Sequence, residues 1–220
     1  MNYPLNPIGI FGGTFDPIHY GHLRLAQDLA EGLGLAQVRF IPVGEPWHRA
    51  APRAPAAQRL EMVRLACAGN PRFVVDEREV AGNARGYTVE TLTALRAELG
   101  RAQPLCLLLG ADAFLGLETW HRWRELFGLT HIAVARRPGF PPLHRHSGMP
   151  AALRAEFAAR CTEDFSPVRT EAAGRLFVQT ITALDISATR IRTDIARGAD
   201  PRYLLPDAVL GYIREHHLYG

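Results

Sequence analysis

Short apolar runs alternate with helical patterns along this chain, and the alternation limits the folds open to it. The runs are typical of buried strands and cover residues 8–11, 38–43, 73–76, 105–109, 132–135 and 176–179. Between them, apolar residues recur at helical spacing, as in residues 23–33, 57–66 and 88–99. Strands that are apolar throughout and alternate with helices predict a parallel sheet with helices on both faces. We therefore predict an α/β fold of the Rossmann-like, doubly wound kind, which binds ligands at the carboxyl ends of its strands.

The length of 220 residues suits one domain, which we expect to span residues 1–220. Residues 138–150 are rich in proline, arginine and histidine and predict a loop. We interpret residues 138–174 as an irregular insertion before the last strand. Helical patterns over residues 189–197 and 207–217 predict a helical segment spanning residues 187–220.

Residues 12–23 follow the first apolar run and combine a glycine turn with the start of a helical pattern. Glycines such as Gly12 and Gly13 let the backbone approach a phosphate closely. A helix N-terminus offers free N–H groups to the same anion. His19 and His22 lie three residues apart, so they share a helix face and can both donate hydrogen bonds. This pattern indicates a nucleotide-phosphate site; the alternative is a turn that serves only the geometry of the fold.

The basic residues constrain the phosphate chemistry, because all 25 of them are arginine. Without lysine the chain has no Walker-type phosphate loop and cannot form a Schiff base. Phosphate charge must therefore be met by arginine, histidine, backbone N–H groups or a metal ion. The net charge of +3 and the pI near 9.0 suit an anionic substrate but are too weak to indicate nucleic acid.

The cysteines and the hydropathy pattern bear on location. The three cysteines are isolated, which is typical of a reducing compartment and indicates neither a zinc site nor a disulfide framework. We see no signal peptide at the start and no apolar run of membrane-spanning length. We therefore expect a cytoplasmic protein that acts without a membrane.

Residues 186–192 form a second strand-to-helix junction. Ser187 is a natural N-cap, Thr189 adds a hydroxyl group, and Arg192 adds a charge that can meet phosphate. Two helix N-termini could thus converge on one polyphosphate. The alternative is an ordinary capped, amphipathic helix.

Four further positions follow predicted strands or carry aromatic rings. Asp112 comes just after the fourth apolar run, where it could bind a ribose hydroxyl or serve only as a helix cap. We expect Trp120 to lie nearer a ligand and Trp123 nearer the core. His48, just past the second run, is either a ligand contact or a surface residue.

With these residues in hand, the chain resembles the bacterial nicotinate mononucleotide adenylyltransferases, which carry a His-x-Gly-His signature. The resemblance rests on residues 12–23, 110–112, 136–139, 186–192 and 212–219, together with the Trp120 region. It implies that ATP and nicotinate mononucleotide react directly, giving nicotinate adenine dinucleotide and pyrophosphate. It also implies Mg²⁺ as the ATP counter-ion, with no metal ligand assigned to the protein.

The resemblance assigns roles residue by residue. His19 and His22 would be catalytic. The implied ATP and phosphate contacts are Gly12, Gly13, Thr14, Phe15, His48, Arg49, Ser187, Thr189 and Arg192. The implied nicotinate mononucleotide contacts are Thr88, Asp112, Trp120 and Arg137. This chain departs from the family pattern at three positions, namely Trp47, Arg49 and Ala188.

Other functions stay open at this point. A related adenylyltransferase could use nicotinamide mononucleotide or phosphopantetheine as its acceptor. A non-catalytic nucleotide sensor could keep the same fold. A dinucleotide-dependent oxidoreductase is poorly supported, because no Gly-x-Gly-x-x-Gly follows the first strand. The oligomeric state is not indicated.

Overall fold

A parallel sheet forms the centre of the molecule. The computed structural model describes residues 6–45, 51–82 and 86–220. Within them, every neighbouring strand pair is parallel and the strand order is β3-β2-β1-β4-β5-β6. The strands are β1 (Ile8–Gly13), β2 (Gln37–Pro42), β3 (Phe73–Val75), β4 (Leu105–Gly110), β5 (His131–Arg136) and β6 (Leu176–Thr180). All six predicted strands are confirmed, as is the doubly wound α/β fold.

The helices lie between and after the strands. The described residues contain α1 (Tyr20–Leu33), α2 (Ala56–Cys67), α3 (Arg78–Ala81), α4 (Thr88–Leu99), α5 (Ala111–Leu115), α6 (Leu126–Leu129), α7 (Ala151–Arg160), α8 (Pro167–Thr170), α9 (Ala188–Ala196) and α10 (Asp207–Glu215). Short 3₁₀ turns occupy Leu117–Thr119, Trp123–Glu125 and Leu143–Arg145. No helix in these ranges is long and apolar enough to cross a membrane.

The strand order reverses at the middle of the sheet. Ile8 of β1 pairs with Gln37 of β2 on one side and with Leu105 of β4 on the other. The chain therefore leaves β1 towards one edge of the sheet and later leaves β4 towards the other. Such a reversal opens a crevice at the carboxyl ends of the two central strands, which is where ligands bind in folds of this kind.

Side chains alternate along each central strand and divide the core into two halves. Ile8 and Ile10 of β1 point to one face, and Phe11 points to the other. We define the α1 face as the side on which α1, α2 and α10 pack, and the α4 face as the side on which α4, α5 and α7 pack. Both sets of helices bury apolar side chains, which explains why the strands read as continuous apolar runs.

The connection between β5 and β6 contains α7 and α8. Leu143, Leu153 and Phe157 of this segment are buried in the core of the α4 face. Val168 of α8 is buried on the α1 face. The interpretation of residues 138–174 as an insertion within one domain stays a prediction.

The structure differs from expectation mainly in its short elements. The sequence pattern did not predict α3, α5, α6 and α8, because helices of four or five residues are too short to show helical periodicity. The last helix ends at Glu215, two residues earlier than predicted, and His217 then adopts a left-handed backbone conformation with φ of 51°.

Candidate active site

A cavity of about 740 Å³ opens at the carboxyl ends of β1, β2 and β4. This volume is typical of sites for small-molecule ligands and cofactors. Both faces of the sheet contribute to its wall: His22 and Leu25 come from α1, and Thr88 and Thr91 come from α4. The cavity therefore lies at the reversal of strand order, as the fold predicts.

The end of β1 and the turn that follows it line this cavity. Gly12, Gly13, Thr14 and Phe15 all line it. A Cβ atom on Gly13 would lie 2.9 Å from the Phe15 ring, so only glycine fits there without a shift. The Phe15 ring itself is buried and packs edge-on against Phe11, with centroids 5.5 Å apart. Phe15 therefore anchors the turn in the core with its ring.

The two histidines form one stacked unit at the start of α1. His19 is the N-cap residue, and its ring lies 3.7 Å from that of His22 between centroids. The backbone N–H of His19 donates to Nδ1 of His22 over 3.3 Å. A Cβ atom on Gly21 would lie 3.0 Å from the His19 ring, so the glycine between the histidines leaves room for the stack.

Burial keeps both imidazoles neutral. It lowers the pKa of His19 to about 4, with a smaller contribution from the charge of Arg137. Burial, followed by the neighbouring His19, lowers the pKa of His22 well below its ordinary value. A neutral imidazole carries one N–H donor, and because Nδ1 of His22 accepts a hydrogen bond, its donor is Nε2. The His19 Nδ1 atom is buried without a partner among the described residues.

The buried His19 should make stability depend on pH. Its pKa falls from 6.5 to about 4 on folding, so between these values the unfolded chain binds a proton that the folded chain does not. The contribution of His19 to the free energy of unfolding is therefore complete above pH 6.5. It falls by roughly 3 kcal/mol as the pH drops to 4. Urea unfolding at about pH 7 and about pH 5 should show a shallower loss for His19→Gln than for the unsubstituted protein. Equal losses would contradict this prediction.

The second strand-to-helix junction meets the first. Ser187 is the N-cap of α9, and its Oγ accepts the backbone N–H of Arg190 over 3.1 Å. Thr189 and Arg192 line the cavity, and the Arg192 guanidinium donates to the backbone oxygen of Asp16 over 2.6 Å. The N-terminal turns of α1 and α9 thus lie at the same cavity, as the two strand-to-helix junctions in the sequence suggested.

The opposite wall carries the residues expected to meet an acceptor. Thr88, Asp112 and Trp120 all line the cavity. Asp112 is exposed and is not the helix cap, because the N-cap of α5 is Gly110. Trp123 is buried in the core of the α4 face, so the two tryptophans divide as expected.

Arg137 lies apart from these three residues. It follows β5, pairs with Asp185 at 3.7 Å, and is close enough to influence the His19 imidazole. His48 and Arg49, together with Trp47, lie outside the described residues.

Sequence reasoning assigned no role to three residues that hold the frame of the site. Asp16 lines the cavity and is 7% exposed. Arg59 is 1% exposed and donates to the backbone oxygens of Thr14, Gly44 and Ala54 over 2.7, 2.7 and 3.1 Å. Tyr219 donates to Asp16 from 203 residues further along the chain. The sequence did contain a sign that Arg59 is buried, since it shares a helix face with the apolar Met62 and Val63.

Four other residues that line the cavity were also missed. Glu79 is buried, and its Oε1 accepts the Thr91 hydroxyl over 2.5 Å. Burial raises the pKa of Glu79, and its Oε2 has no partner among the described residues. Tyr87 and His121 stack with ring centroids 4.4 Å apart. These contacts border the wall that carries Thr88 and Trp120.

The family comparison matches most of the chain. Residues 10–194 match the family model described as cytidylyltransferase-like. A protein of Dechloromonas aromatica (strain RCB), named a probable nicotinate-nucleotide adenylyltransferase, is 54% identical over 213 residues, covering 97% of each chain. A protein of Laribacter hongkongensis (strain HLHK9) with the same name is 50% identical over 216 residues, covering 98% of this chain and 96% of its own.

Solved structures show the same fold at low identity. The nicotinic acid mononucleotide adenylyltransferase of Plasmodium falciparum, complexed with NaAD, superimposes with a TM-score of 0.71. It is 14% identical, and the match covers 97% of each chain. At that identity the likeness supports the architecture, whereas the two bacterial relatives establish the family.

Proposed function

Because the chain belongs to the cytidylyltransferase-like family and, within it, to the nicotinate-nucleotide adenylyltransferases, we propose that it transfers the adenylyl group of ATP to nicotinate mononucleotide. The products are nicotinate adenine dinucleotide and pyrophosphate, in NAD biosynthesis. One observation carries the proposal: a single cavity joins His22, which stacks on His19 at the start of α1, to Thr88 and Trp120 on the opposite wall.

The reaction is a direct displacement at phosphorus. A 5′-phosphate oxygen of the mononucleotide forms a bond to the α-phosphorus of ATP. The bond from that phosphorus to the bridging oxygen of the β-phosphate breaks, and pyrophosphate leaves with the electron pair. No covalent enzyme intermediate forms, so the protein contributes alignment and stabilisation of developing charge.

The phosphate wall suits the triphosphate. His22 brings a neutral N–H donor to the cavity, His19 stacks on it, and residues 12–15 line the same space. Ser187, Thr189 and Arg192 bring the second helix N-terminus and one guanidinium to the site. The proposal also assigns ATP contacts to His48 and Arg49, which lie outside the described residues.

A divalent cation accompanies ATP in this proposal, and we assign Mg²⁺. Mg²⁺ commonly keeps several waters and is held through substrate phosphates rather than by a protein cage. The described ranges contain no group of three or more His, Cys, Asp or Glu side chains that could hold a metal ion. In this proposal the triphosphate would supply ligands to the cation, and the cation would neutralise part of its charge.

The opposite wall suits the mononucleotide. Trp120 offers a ring for stacking, Thr88 lies at the start of α4, and the exposed Asp112 can accept a ribose hydroxyl. The charge of Arg137, which follows β5, acts on the His19 imidazole, so this guanidinium can meet the 5′-phosphate of the acceptor. We assign Arg137 to that phosphate.

Trp120→Ala should weaken use of the mononucleotide selectively. Stacking of a flat ring on an aromatic side chain is worth about 1–3 kcal/mol, so we expect KM for nicotinate mononucleotide to rise about tenfold or more. KM for ATP serves as the internal control and should change less than about twofold. Trp120→Phe should keep most of the affinity, and an unchanged KM for the mononucleotide in Trp120→Ala would contradict the assignment.

Pyrophosphate release tests the function itself. With ATP and Mg²⁺ present, nicotinate mononucleotide should support faster release than nicotinamide mononucleotide or phosphopantetheine. Faster release with either of the other acceptors would overturn the acceptor assignment. ATP binding without release from any acceptor would favour the sensor alternative. The proposal includes a cytoplasmic location and small-molecule partners without nucleic acid or membrane, supported by the sparse cysteines and modest net charge.

A further inference from the structure

Asp16 joins four separate parts of the chain at the cavity wall. Its Oδ2 accepts the backbone N–H of Arg53 over 2.8 Å, and its Oδ1 accepts that of Ala54 over 3.1 Å. The Tyr219 hydroxyl donates to Oδ1 over 2.7 Å. Arg192 donates to the backbone oxygen over 2.6 Å and lies 3.8 Å from Oδ2. A buried carboxylate with this many partners is held in one position.

Positive charge surrounds this carboxylate. Arg192 contacts it from α9, and the buried guanidinium of Arg59 interacts with it electrostatically from α2. Arg59 donates only to backbone oxygens among the described residues, and one of these belongs to Thr14, two residues before Asp16. Two sets of contacts therefore hold the turn at residues 12–16: Arg59 binds the backbone oxygen of Thr14, and the Asp16 side chain binds the backbone of residues 53–54.

Tyr219 completes the carboxylate's coordination from outside the cavity. It is not among the described residues that line the cavity, and it lies in the segment that follows α10. Burial, the hydrogen bond to Asp16 and its charge raise the pKa of the Tyr219 hydroxyl, which therefore remains a donor. Without that donor, Oδ1 would keep a single hydrogen bond, from Ala54.

We propose that Tyr219 is a positioning residue for ATP: its hydroxyl holds Asp16, and Asp16 in turn holds Arg192 against the triphosphate site. The inference rests on the proposed function, since it assigns ATP to the wall that carries Arg192. Because Tyr219 lies outside the described lining of the cavity, its effect on ATP would pass through Asp16. The segment after α10 thereby becomes part of the ATP-binding apparatus, although it is remote in sequence from both phosphate motifs.

Tyr219→Phe removes only the hydroxyl and tests this proposal. A hydrogen bond to a charged group is stronger than one between neutral groups, and if part of its free energy reaches the ATP site, KM for ATP should rise about fivefold or more. KM for nicotinate mononucleotide should stay within about twofold, because the opposite wall is untouched. Tyr203→Phe is the matched control, because Tyr203 is 81% exposed, and it should leave both constants unchanged.

A second variant tests whether the effect passes through Asp16. Asp16→Asn should itself raise KM for ATP, and adding Tyr219→Phe to it should change KM little further, because contacting residues in one network are not additive. A purely structural role for Tyr219 would lower the melting temperature and leave KM for ATP unchanged, which would overturn the proposal. Equal effects on both Michaelis constants, or additive effects with Asp16→Asn, would also overturn it. Absence of pyrophosphate release from the unsubstituted protein would instead refute the proposed function.

Discussion

Replacing His22 by alanine is expected to lower kcat by about 100- to 1,000-fold, the usual loss when one preorganised donor is removed from a developing negative charge. The His22 ring lines the cavity at the start of α1, stacks on His19 and carries its proton on Nε2. Burial keeps the imidazole neutral in the free protein. Its Nε2–H donor is therefore already in place before the substrates bind. The effect should fall on kcat more than on KM for either substrate.

A surface histidine provides the control for this experiment. His144 is exposed, and His144→Ala should retain full activity. His22→Asn keeps a side-chain N–H donor and should lose less activity than His22→Ala. Steady-state kinetics with both substrates would measure the effects, and circular dichroism would check that each variant is folded. Turnover of His22→Ala within about tenfold of the unsubstituted protein would exclude a catalytic role for this residue.

Replacing Arg59 by methionine is expected to lower the free energy of unfolding by about 3–5 kcal/mol. The side chain is 1% exposed, and three backbone oxygens depend on it for a donor. Methionine fills a similar volume but cannot donate, so the carbonyl groups of Thr14, Gly44 and Ala54 would lose their charged partner inside the protein. Each buried acceptor left without a donor costs about 1–3 kcal/mol, partly offset by relaxation and by water.

Urea unfolding would measure this loss. Arg72→Met is the control, because Arg72 is exposed, and its effect should lie within about 0.5 kcal/mol. A loss below about 1 kcal/mol for Arg59→Met would show that the three carbonyl groups find other partners. Because Thr14 belongs to the turn to which we assign phosphate contacts, the folded fraction of Arg59→Met should also bind ATP more weakly than Arg72→Met does.

The sheet could be predicted from sequence because its signal is local and strong. Each central strand is buried on both sides, so it reads as an uninterrupted apolar run, and helices of nine or more residues separate most of these runs. The short α3, α5, α6 and α8 could not be predicted in the same way. A helix of four or five residues completes little more than one turn, and its shape is set by the elements it joins.

The candidate site likewise contains some features that could be predicted from sequence and others that could not. The turn at residues 12–15, the histidine pair and the Ser187 cap are properties of short segments, and their positions could be read from spacing. The contact between Asp16 and Tyr219 joins residues 203 positions apart, so no local sequence pattern could predict it. The neutral state of the histidines is likewise invisible in sequence, because it results from burial that many distant residues create together.

The two faces of the sheet have a consequence for how such a protein can diversify. The helices to which we assign phosphate contacts, such as α1, pack on the α1 face, whereas α4 and α5, with Thr88 and Asp112, pack on the α4 face. Under the proposed function, the helices that meet each substrate would thus pack on different hydrophobic cores, and the sheet separates the two cores. Substitutions that reshape the acceptor wall can accumulate on one side while the other side, and the chemistry at phosphorus, remains intact. A change of acceptor is therefore an evolutionary step that this architecture permits without rebuilding the catalytic half.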